Sequence, residues 1–372
     1  MANLSPMMQQ YFEMKKQNPD TILFFRLGDF YEMFFDDAKL VSRELDLTLT
    51  GRDCGQEERA PMCGVPFHSY ETYVARLVQK GYKVAICEQM EDPAKAKGLV
   101  KRDIIRVITP GTVLESSMLD EAKNNYICSV CVRGERAGCC FADISTGEVH
   151  GVLLSGSLQE LLKNELSRFS PREILLNPEG LDLKELPQFI RDRLCASLEL
   201  LEETEFAAEN SVPLVLSQFK KSSLEEMDLE EKEEIAFAAG ALLGYLKKTQ
   251  RTGLERLTEI TLYSGAQYMG LDLNARRNLE LLETLRTKEK KGSLLWVLDK
   301  TKTAMGKRLI RSWIEQPLMS PGQITKRLNA VEELSEDMML RDSVSGGLTG
   351  IHDLERLMSR IVYGSSNARE LR

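Results

Sequence analysis

The sequence of 372 residues has little that would indicate a membrane or secreted protein. No window is apolar over the length needed to cross a bilayer. The first residues also lack the basic-then-apolar pattern of a signal peptide. We therefore expect a cytoplasmic protein that does not associate with membranes. Its eight cysteines should then be reduced thiols and not a disulfide framework.

Histidine is scarce, which limits the catalytic chemistry that the chain can carry. The three histidines are His68, His150 and His352, and none has a carboxylate or cysteine at ligand or triad spacing. His68 follows Pro66-Phe67, a setting more typical of a structural residue. No pair of acids stands out as a hydrolytic dyad. The residues therefore predict no catalytic group and no metal site.

A complete nucleotide-binding motif is absent as well. Gly306-Lys307 resembles the end of the phosphate-binding pattern G-x-x-x-x-G-K-[ST]. However, Thr301 occupies the place of its first glycine and Arg308 replaces the hydroxyl residue. No G-x-G-x-x-G occurs either. We therefore expect no cofactor in this chain.

Four cysteines lie close together and could indicate zinc, namely Cys128, Cys131, Cys139 and Cys140. The alternative is that they are small apolar side chains in the core of a β-hairpin. Residues three apart in a strand point to opposite faces, so Cys128 and Cys131 would not converge on one metal. The spacing therefore favours core packing.

The composition describes a folded protein with an uneven charge distribution. Apolar residues make up 42% and charged residues 28%, which is typical of globular domains. The length allows two or three domains. The net charge of −8 argues against non-specific attraction to nucleic acid, although residues 199–234 hold much of the acid. A local basic cluster remains, made of Lys95, Lys97, Lys101, Arg102 and Arg106.

Strands alternate with helices over the first 110 residues or so, which predicts a compact mixed α/β domain. A first helix should begin at Pro6 after an N-cap at Ser5. A helix after Gly28 should end near Asp46, and another should carry Tyr70 to Val78. Strands are predicted at 21–27, 47–50, 83–87 and 103–113.

A second α/β region follows, and then a helical one. A β-hairpin is predicted from 126–133 and 139–145, followed by a strand after Gly147, a helix at 158–166 and a strand at 173–176. Beyond residue 258 the periodicity is almost entirely helical, most strongly at 271–285 and 294–316. Residues 367–372 are expected to lie in an unfinished helix, as in a fragment of a longer protein.

The segment 21–35 allows two geometries after its break at Gly28-Asp29. Asp29 could cap a helix, with Glu32 completing a capping box and Phe30 at the first helical position. Alternatively, the chain stays extended, so that Phe30 and Glu32 share one face and Tyr31 turns to the core. Either geometry presents an aromatic ring and a carboxylate together. Without other knowledge, a core aromatic and a solvated acid would be the ordinary interpretation.

The run Arg26-x-Gly28-Asp29-Phe30-Tyr31-Glu32-Met33-Phe34 resembles the signature of the mismatch-recognition domain of bacterial MutS proteins. Further motifs resemble the same family in the same order and cover essentially the whole chain. They are Gly64-Val65-Pro66-x-His68 and the segments 77–89, 107–112, 142–148, 277–281 and 292–299.

The resemblance implies three parts within this α/β multidomain chain. These are a mixed α/β mismatch-recognition domain at 1–112, an RNase-H-like α/β connector domain at 122–258, and the incomplete first part of an all-α core or lever domain at 259–372. The family's ATPase domain, with its ATP and Mg, would lie beyond residue 372, so no enzyme activity is implied here. Complete members act as homodimers and recruit a MutL-type partner.

The resemblance also implies roles for Phe30 and Glu32 on double-stranded DNA with mismatches or small insertion/deletion loops. Phe30 would enter the minor groove and stack on the mispaired base, and Glu32 would accept a hydrogen bond from that base. Such a wedge reads deformability, and unstacking costs least where pairing is poor. A bare carboxylate would also repel matched duplex. Phosphate contacts are predicted for Arg26, Arg52, Lys95, Lys97, Lys101, Arg102 and Arg106.

Two rival functions stay open. One is a DNA-binding or scaffold module of the same family without mismatch recognition, against which the intact Phe30-x-Glu32 pair argues. The other is a metal-dependent nuclease, since an RNase-H-like connector could carry metal-binding acids. Asp143 and Glu148 are the candidate ligands, and the sequence shows no further partner for them by spacing.

Overall fold

A computed structural model describes residues 4–91, 98–366, 368 and 371. The chain divides into two compact units. The first comprises Met1–Met118 and Leu246–Thr252, and the second comprises Leu119–Tyr245 and Gly253–Arg372. Each unit contains one six-stranded sheet. The prediction of a mixed α/β fold followed by helices is confirmed, whereas the division into three domains stays a prediction.

The first unit packs helices on both faces of a mixed sheet. Its strands are arranged in the order β3-β4-β2-β1-β5-β6; β1 and β5 are parallel, and the other neighbours are antiparallel. The helices are α1 (Pro6–Gln17), α2 (Phe35–Leu45) and α3 (Tyr70–Gln79), and the strands are β1 (Ile22–Leu27), β2 (Phe30–Phe34), β3 (Thr50–Arg52), β4 (Ala60–Pro66), β5 (Val84–Gln89) and β6 (Arg102–Ile108).

The segment after Gly28 is a strand, so the extended geometry is confirmed and the capping-box geometry is wrong. Gly28 has φ +57°, a left-handed conformation that glycine adopts without strain and that suits a two-residue hairpin turn. β2 pairs with β1 on one side and β4 on the other, and these ladders outweigh the local capping signal. The helix begins only at Phe35 and ends at Leu45, close to the predicted end.

Other boundaries in this unit differ modestly from the sequence prediction. The strand expected at 47–50 begins at Thr50, and the strand expected to reach Val113 ends at Ile108. Ser5 precedes the first helical residue, as predicted, although its side chain makes no capping hydrogen bond. The core on one sheet face unites α1 with the strands through Met8, Tyr11, Leu23, Phe25, Phe34 and Ala85.

The second unit also contains a mixed sheet, in the order β11-β10-β7-β8-β9-β12. The predicted hairpin, the following strand and helix, and the strand at 173–176 are all confirmed. The strands are β7 (Ile127–Arg133), β8 (Arg136–Asp143), β9 (Glu148–Ser155), β10 (Glu173–Leu176), β11 (Ser197–Leu200) and β12 (Thr261–Leu262). The helices are α4 (Leu158–Phe169), α5 (Leu186–Phe189), α6 (Glu203–Phe206), α7 (Ala208–Phe219) and α8 (Glu233–Gln250), the last of which ends within the residues assigned to the first unit.

The remainder of the second unit is helical, but its first helices are shorter than predicted. The helix expected at 271–285 spans only Leu273–Asn278, and Glu280 then adopts φ +48°. The segment 294–316 is divided because Ser293 and Thr303 each cap a separate helix. The helices are α9 (Leu273–Asn278), α10 (Leu294–Leu298), α11 (Ala304–Glu315), α12 (Pro321–Glu336), α13 (Met338–Leu348) and α14 (Leu354–Tyr363).

The ending predicted for the chain cannot be compared in full, because residues 367, 369, 370 and 372 lie outside the described part. Within the described ranges, no helix combines the length and apolar character that a membrane span requires.

The hairpin cysteines pack in the core, as the sequence favoured. Cys128 and Cys139 belong to an apolar cluster of the second unit, and Cys131 and Cys140 are also buried. Burial raises the pKa of the Cys131 and Cys140 thiols to about 12, which opposes the thiolate form that a metal needs. Within the described part of the chain, no group of three or more His, Cys, Asp or Glu side chains could hold a metal ion.

Candidate nucleic-acid interface

Phe30 is an exposed aromatic residue in an otherwise buried strand. It begins β2, opposite Leu27 of β1 and Pro66 of β4, and its side chain is 48% exposed. Tyr31 and Met33, whose side chains point to the opposite face of the sheet, are fully buried. The ring is therefore presented by a backbone that is hydrogen-bonded on both sides, which makes it a rigid apolar projection.

Glu32 lies on the same sheet face as Phe30, as the extended geometry requires. Gly64 stands opposite Glu32 on β4. A Cβ atom at Gly64 would lie 3.3 Å from the Tyr31 carbonyl oxygen, 3.5 Å from Glu32 Cγ and 3.9 Å from Phe30 Cδ1. The missing side chain at Gly64 thus leaves the space in which the ring and the carboxylate lie side by side.

Arg52 reaches Glu32 from the edge of the sheet. Its Nη1 donates a hydrogen bond to Glu32 Oε2, and the two side chains form an ion pair. The Glu32 side chain is only 14% exposed, whereas that of Arg52 is 38% exposed. Two residues that the sequence assigned to separate roles, a base acceptor and a phosphate contact, therefore bind each other directly.

Arg26 is held beneath the same end of the sheet by aromatic rings. Its guanidinium carbon lies 3.3 Å from the centroid of the Phe67 ring, and its Nη1 is 3.6 Å from Glu88 Oε1. The Tyr31 hydroxyl donates a hydrogen bond to Glu88. Burial is the main cause that raises the pKa of Tyr31, and this hydrogen bond raises it further. These contacts fix the position of the Arg26 guanidinium near the turn that precedes Phe30.

The predicted basic cluster separates into different environments. Lys95 and Lys97 lie outside the described residues, and Lys101 is exposed. Arg102 is 6% exposed and donates from Nε to the Arg26 carbonyl at 2.8 Å. Arg106 is 4% exposed and bonds Glu115, Gln250 and the Thr112 carbonyl. The structure therefore gives Arg102 and Arg106 structural roles within the first unit.

Phe67 is a second exposed aromatic residue that the sequence prediction did not single out. Its amide donates to the Asp29 carbonyl at 2.8 Å, which fixes it beside the turn before Phe30. Its ring is 41% exposed and stacks on Tyr70 with an interplanar angle of 11°. Phe67 occupies the unspecified position of the motif Gly64-Val65-Pro66-x-His68, so the motif gave no reason to select it.

The acids of the rival nuclease function are brought together, but both oxygens of Asp143 and one oxygen of Glu148 already accept hydrogen bonds. Asp143 and Glu148 pair across β8 and β9. Asp143 is fully buried and accepts from Ser145, Asn124 and the Asn125 amide. Glu148 accepts from Tyr126 at 2.7 Å and from Asn124 at 3.2 Å. These bonds are typical of a structural turn, and a metal would need more oxygen ligands than these two acids supply.

His150 also joins this cluster, which spacing in the sequence did not indicate. Its Nε2 lies 3.5 Å from Glu148 Oε2. Burial alone would raise the pKa of Glu148, but the bonds from His150 and Tyr126 outweigh it and lower that pKa. The local electrostatics therefore favour an ionised, satisfied carboxylate.

Comparison with known families finds three consecutive matches. Residues 5–117 match the family described as MutS domain I, residues 125–261 match MutS domain II, and residues 274–372 match MutS domain III. The interface formed by Phe30, Glu32 and Arg52 lies within the first of these segments.

Similar curated proteins are named DNA mismatch repair protein MutS. The protein of Ruminiclostridium cellulolyticum is 52% identical over 372 residues, which is all of this chain and 42% of the relative. The protein of Acetivibrio thermocellus is 51% identical over 374 residues, with the same two shares. The chain thus spans about 42% of the length of these relatives. It belongs to the MutS family, of which it carries domains I, II and III.

Proposed function

We propose that this chain binds mispaired double-stranded DNA and supplies the recognition step of DNA mismatch repair. The observation that supports the proposal most strongly is the exposure of Phe30 at the end of a doubly paired strand. Exposed phenylalanine is costly in water, and an apolar side chain that enters a base step recovers that cost by stacking. The names of the relatives agree with this role.

In this proposal Phe30 acts as a wedge from the minor groove. Its ring stacks against the mispaired base and unstacks the neighbouring step, which bends the duplex. Unstacking costs about a few kcal/mol per step in matched DNA and less where pairing is already poor. The site therefore reads the weakness of the step, so that one geometry accepts many mispairs and small unpaired loops.

Glu32 orients the mispaired base in the same proposal. Its carboxylate lies on the same face as the Phe30 ring, across the space left by Gly64, and would accept a hydrogen bond from a ring N–H of the stacked base. Arg26, Arg52 and Lys101 provide the positive charge that holds the backbone near this end of the sheet. Phosphate contacts of this type position the duplex without reading its sequence.

Longer proteins that contain this chain would add further activities. We propose that they dimerise and hydrolyse ATP with Mg through segments other than residues 1–372. The proposed contact with a MutL-type partner would instead involve the connector and core segments. None of the residues described above is assigned a step in that hydrolysis. The DNA-binding role proposed for Phe30 and Glu32 can be tested without it.

The test is binding of labelled duplexes that differ only in one G·T pair. We expect the wild-type chain to bind the G·T duplex more tightly than the matched duplex, and Phe30→Ala to remove this preference. Trp296→Ala is the matched control, since Trp296 is a similarly exposed aromatic residue on α10 and should leave the preference intact. Equal binding of both duplexes by the wild type would refute the proposal.

A further inference from the structure

Glu32 already has a bonded partner at one of its two carboxylate oxygens. Oε2 of Glu32 accepts a hydrogen bond from Nη1 of Arg52. A mispaired base that donates to this carboxylate must therefore displace the guanidinium from Oε2, share that oxygen with it, or use Oε1 beside a guanidinium that already offsets the charge. The sequence-based expectation of a bare, repelling Glu32 thus needs revision, because Arg52 offsets its charge.

The two members of this ion pair differ in how firmly they are held. Glu32 lies on β2, which is paired on both sides, and its side chain is largely buried. Arg52 ends β3, the edge strand of the sheet, and its side chain is more than twice as exposed. Residues 55–59 beyond it are also exposed. If the pair opens, Arg52 is therefore the partner that moves.

A released Arg52 would have a natural second acceptor on DNA. Guanidinium is permanently charged and presents a planar set of donors that fits phosphate as well as carboxylate. A base that occupies Glu32 brings the adjacent phosphates to the same end of the sheet. The released side chain can then exchange one oxyanion for another without any proton transfer.

We propose that Arg52 exchanges between Glu32 and a DNA phosphate, and that only a mispaired base opens the pair. On matched duplex the pair stays closed, so Glu32 is neutralised and Arg52 contributes no phosphate contact. On mispaired duplex the ring N–H of the stacked base takes over Glu32, and Arg52 binds the backbone beside it. This inference rests on the proposed mismatch binding and adds a specificity-determining residue to it.

The exchange links one base contact to one backbone contact. A hydrogen bond from the mispaired base to Glu32 then comes with a second new contact, between Arg52 and a phosphate, and these two contacts replace the Arg52–Glu32 ion pair that opens. Matched DNA obtains neither contact. The preference for mispaired DNA would therefore depend on the sum of both new contacts minus the ion pair that is broken, and so on Arg52 as well as on Glu32.

The salt dependence of binding reports this exchange because it counts phosphates that the protein neutralises. Each additional contact steepens the slope of log K against log salt concentration by about 0.9 on B-form DNA. We would measure binding by fluorescence anisotropy between about 50 and 200 mM KCl. The two probes are a labelled matched duplex and the same duplex with one G·T pair.

We expect the wild-type slope to be steeper on the G·T duplex by about 0.9, and Arg52→Gln to remove this difference. Glu32→Gln should steepen the slope on the matched duplex by a similar amount, because it frees Arg52. The double variant should return that slope to the wild-type value. Arg43→Gln removes one charge from α2, at a side chain 74% exposed, and should leave the difference between duplexes unchanged.

Two results would overturn the exchange. An equal loss of slope on both duplexes in Arg52→Gln would show a permanent phosphate contact. Unchanged slopes on both duplexes in Arg52→Gln would show that Arg52 never reaches the backbone. The Glu32→Gln measurement on matched DNA needs no preference for mispairs. It therefore tests the exchange even if the wild type binds matched and mispaired duplexes equally. Equal binding by the wild type would refute only the proposed function.

Discussion

Two strand carboxylates in this chain, Glu32 in the middle of β2 and Asp143 at the end of β8, have opposite environments. Asp143 is fully buried at the end of β8 and accepts four hydrogen bonds from the adjoining turn and from residues 124 and 125. Glu32 is bonded by one side chain that comes from an exposed edge strand. Both are acids in mixed sheets, yet only Glu32 can change partner without breaking the fold.

The difference shows how a binding acid can be told from a structural one. A buried carboxylate whose lone pairs are filled by neighbouring amides and hydroxyls stabilises its turn, and removing it leaves several donors unsatisfied. A carboxylate with a single, movable cationic partner keeps its acceptor capacity for another molecule. Substitutions at the two sites should therefore affect different measurements.

The largest expected effect is on folding stability at Asp143. Asp143→Ala should lower the free energy of unfolding of the second unit by about 3 kcal/mol, because buried donors lose their acceptor. Urea unfolding followed by circular dichroism would measure this. A loss below about 1 kcal/mol would show that the turn can satisfy its donors otherwise, and the contrast with Glu32 would fail.

An intermediate effect is expected at Gly64. Gly64→Ala places a methyl group 3.3 Å from a backbone oxygen of β2 and close to both Glu32 and Phe30. We expect a loss of about 1 kcal/mol in unfolding free energy, together with a weaker preference for mispaired DNA. Gly51→Ala is a useful control, since its Cβ would be equally close, at 3.2 Å, but to a side-chain carbon of Arg59. If Gly64→Ala kept the wild-type preference for mispaired over matched DNA, the space beside Gly64 would not be needed for recognition.

A smaller effect should appear as a pH dependence at Glu148. Because its pKa is lowered in the fold, its stabilising contribution is complete above the ordinary glutamate pKa of about 4.3. The contribution is lost as pH falls from there through the lowered value. The stability difference between the wild type and Glu148→Gln should therefore shrink in acid. Unfolding curves at several pH values would test this, and a constant difference would contradict it.

The smallest effect on stability is expected at Glu32 itself. Glu32→Ala removes a partly exposed ion pair, which contributes less than about 1 kcal/mol to folding. Its effect should instead appear as tighter binding of matched duplex, because Arg52 is freed. Thermal unfolding and anisotropy on the same preparation would compare the two. A large loss of stability with unchanged DNA binding would make Glu32 a structural acid like Asp143.

The sequence predicted the elements of both sheets better than their ends. The β7–β8 hairpin and the alternation that buries Cys128 followed from a strict period of two. The local capping signal at Asp29 and Glu32 competed with strand formation, and the outcome depended on β4, which lies some thirty residues later. The helix expected at 294–316 failed because apolar periodicity continues through the break that Thr303 caps. The helix expected at 271–285 ends at Asn278, before the positive φ of Glu280.

The candidate site was only partly predictable for a similar reason. Phe30 and Glu32 could be identified because they are neighbours in one strand and belong to a recognisable motif. The bond between Glu32 and Arg52 depends on the order β3-β4-β2, which no local pattern specifies. The burial of Arg102 and Arg106 likewise depends on residues far along the chain, including Gln250. Charge clusters in a sequence therefore do not show which cations reach the surface.

Because Gln250 belongs to the first unit, that unit cannot form all of its hydrogen bonds until residue 250 has been translated. Gln250 accepts from Arg106 at 2.8 Å and donates to the Val107 carbonyl at 3.1 Å. Arg106 and Val107 emerge from the ribosome long before it. The first unit therefore gains its last bonds only after most of the second sheet has been translated. An expression fragment that ends at residue 118 would lack them, so fragments for DNA-binding studies should extend at least to residue 252.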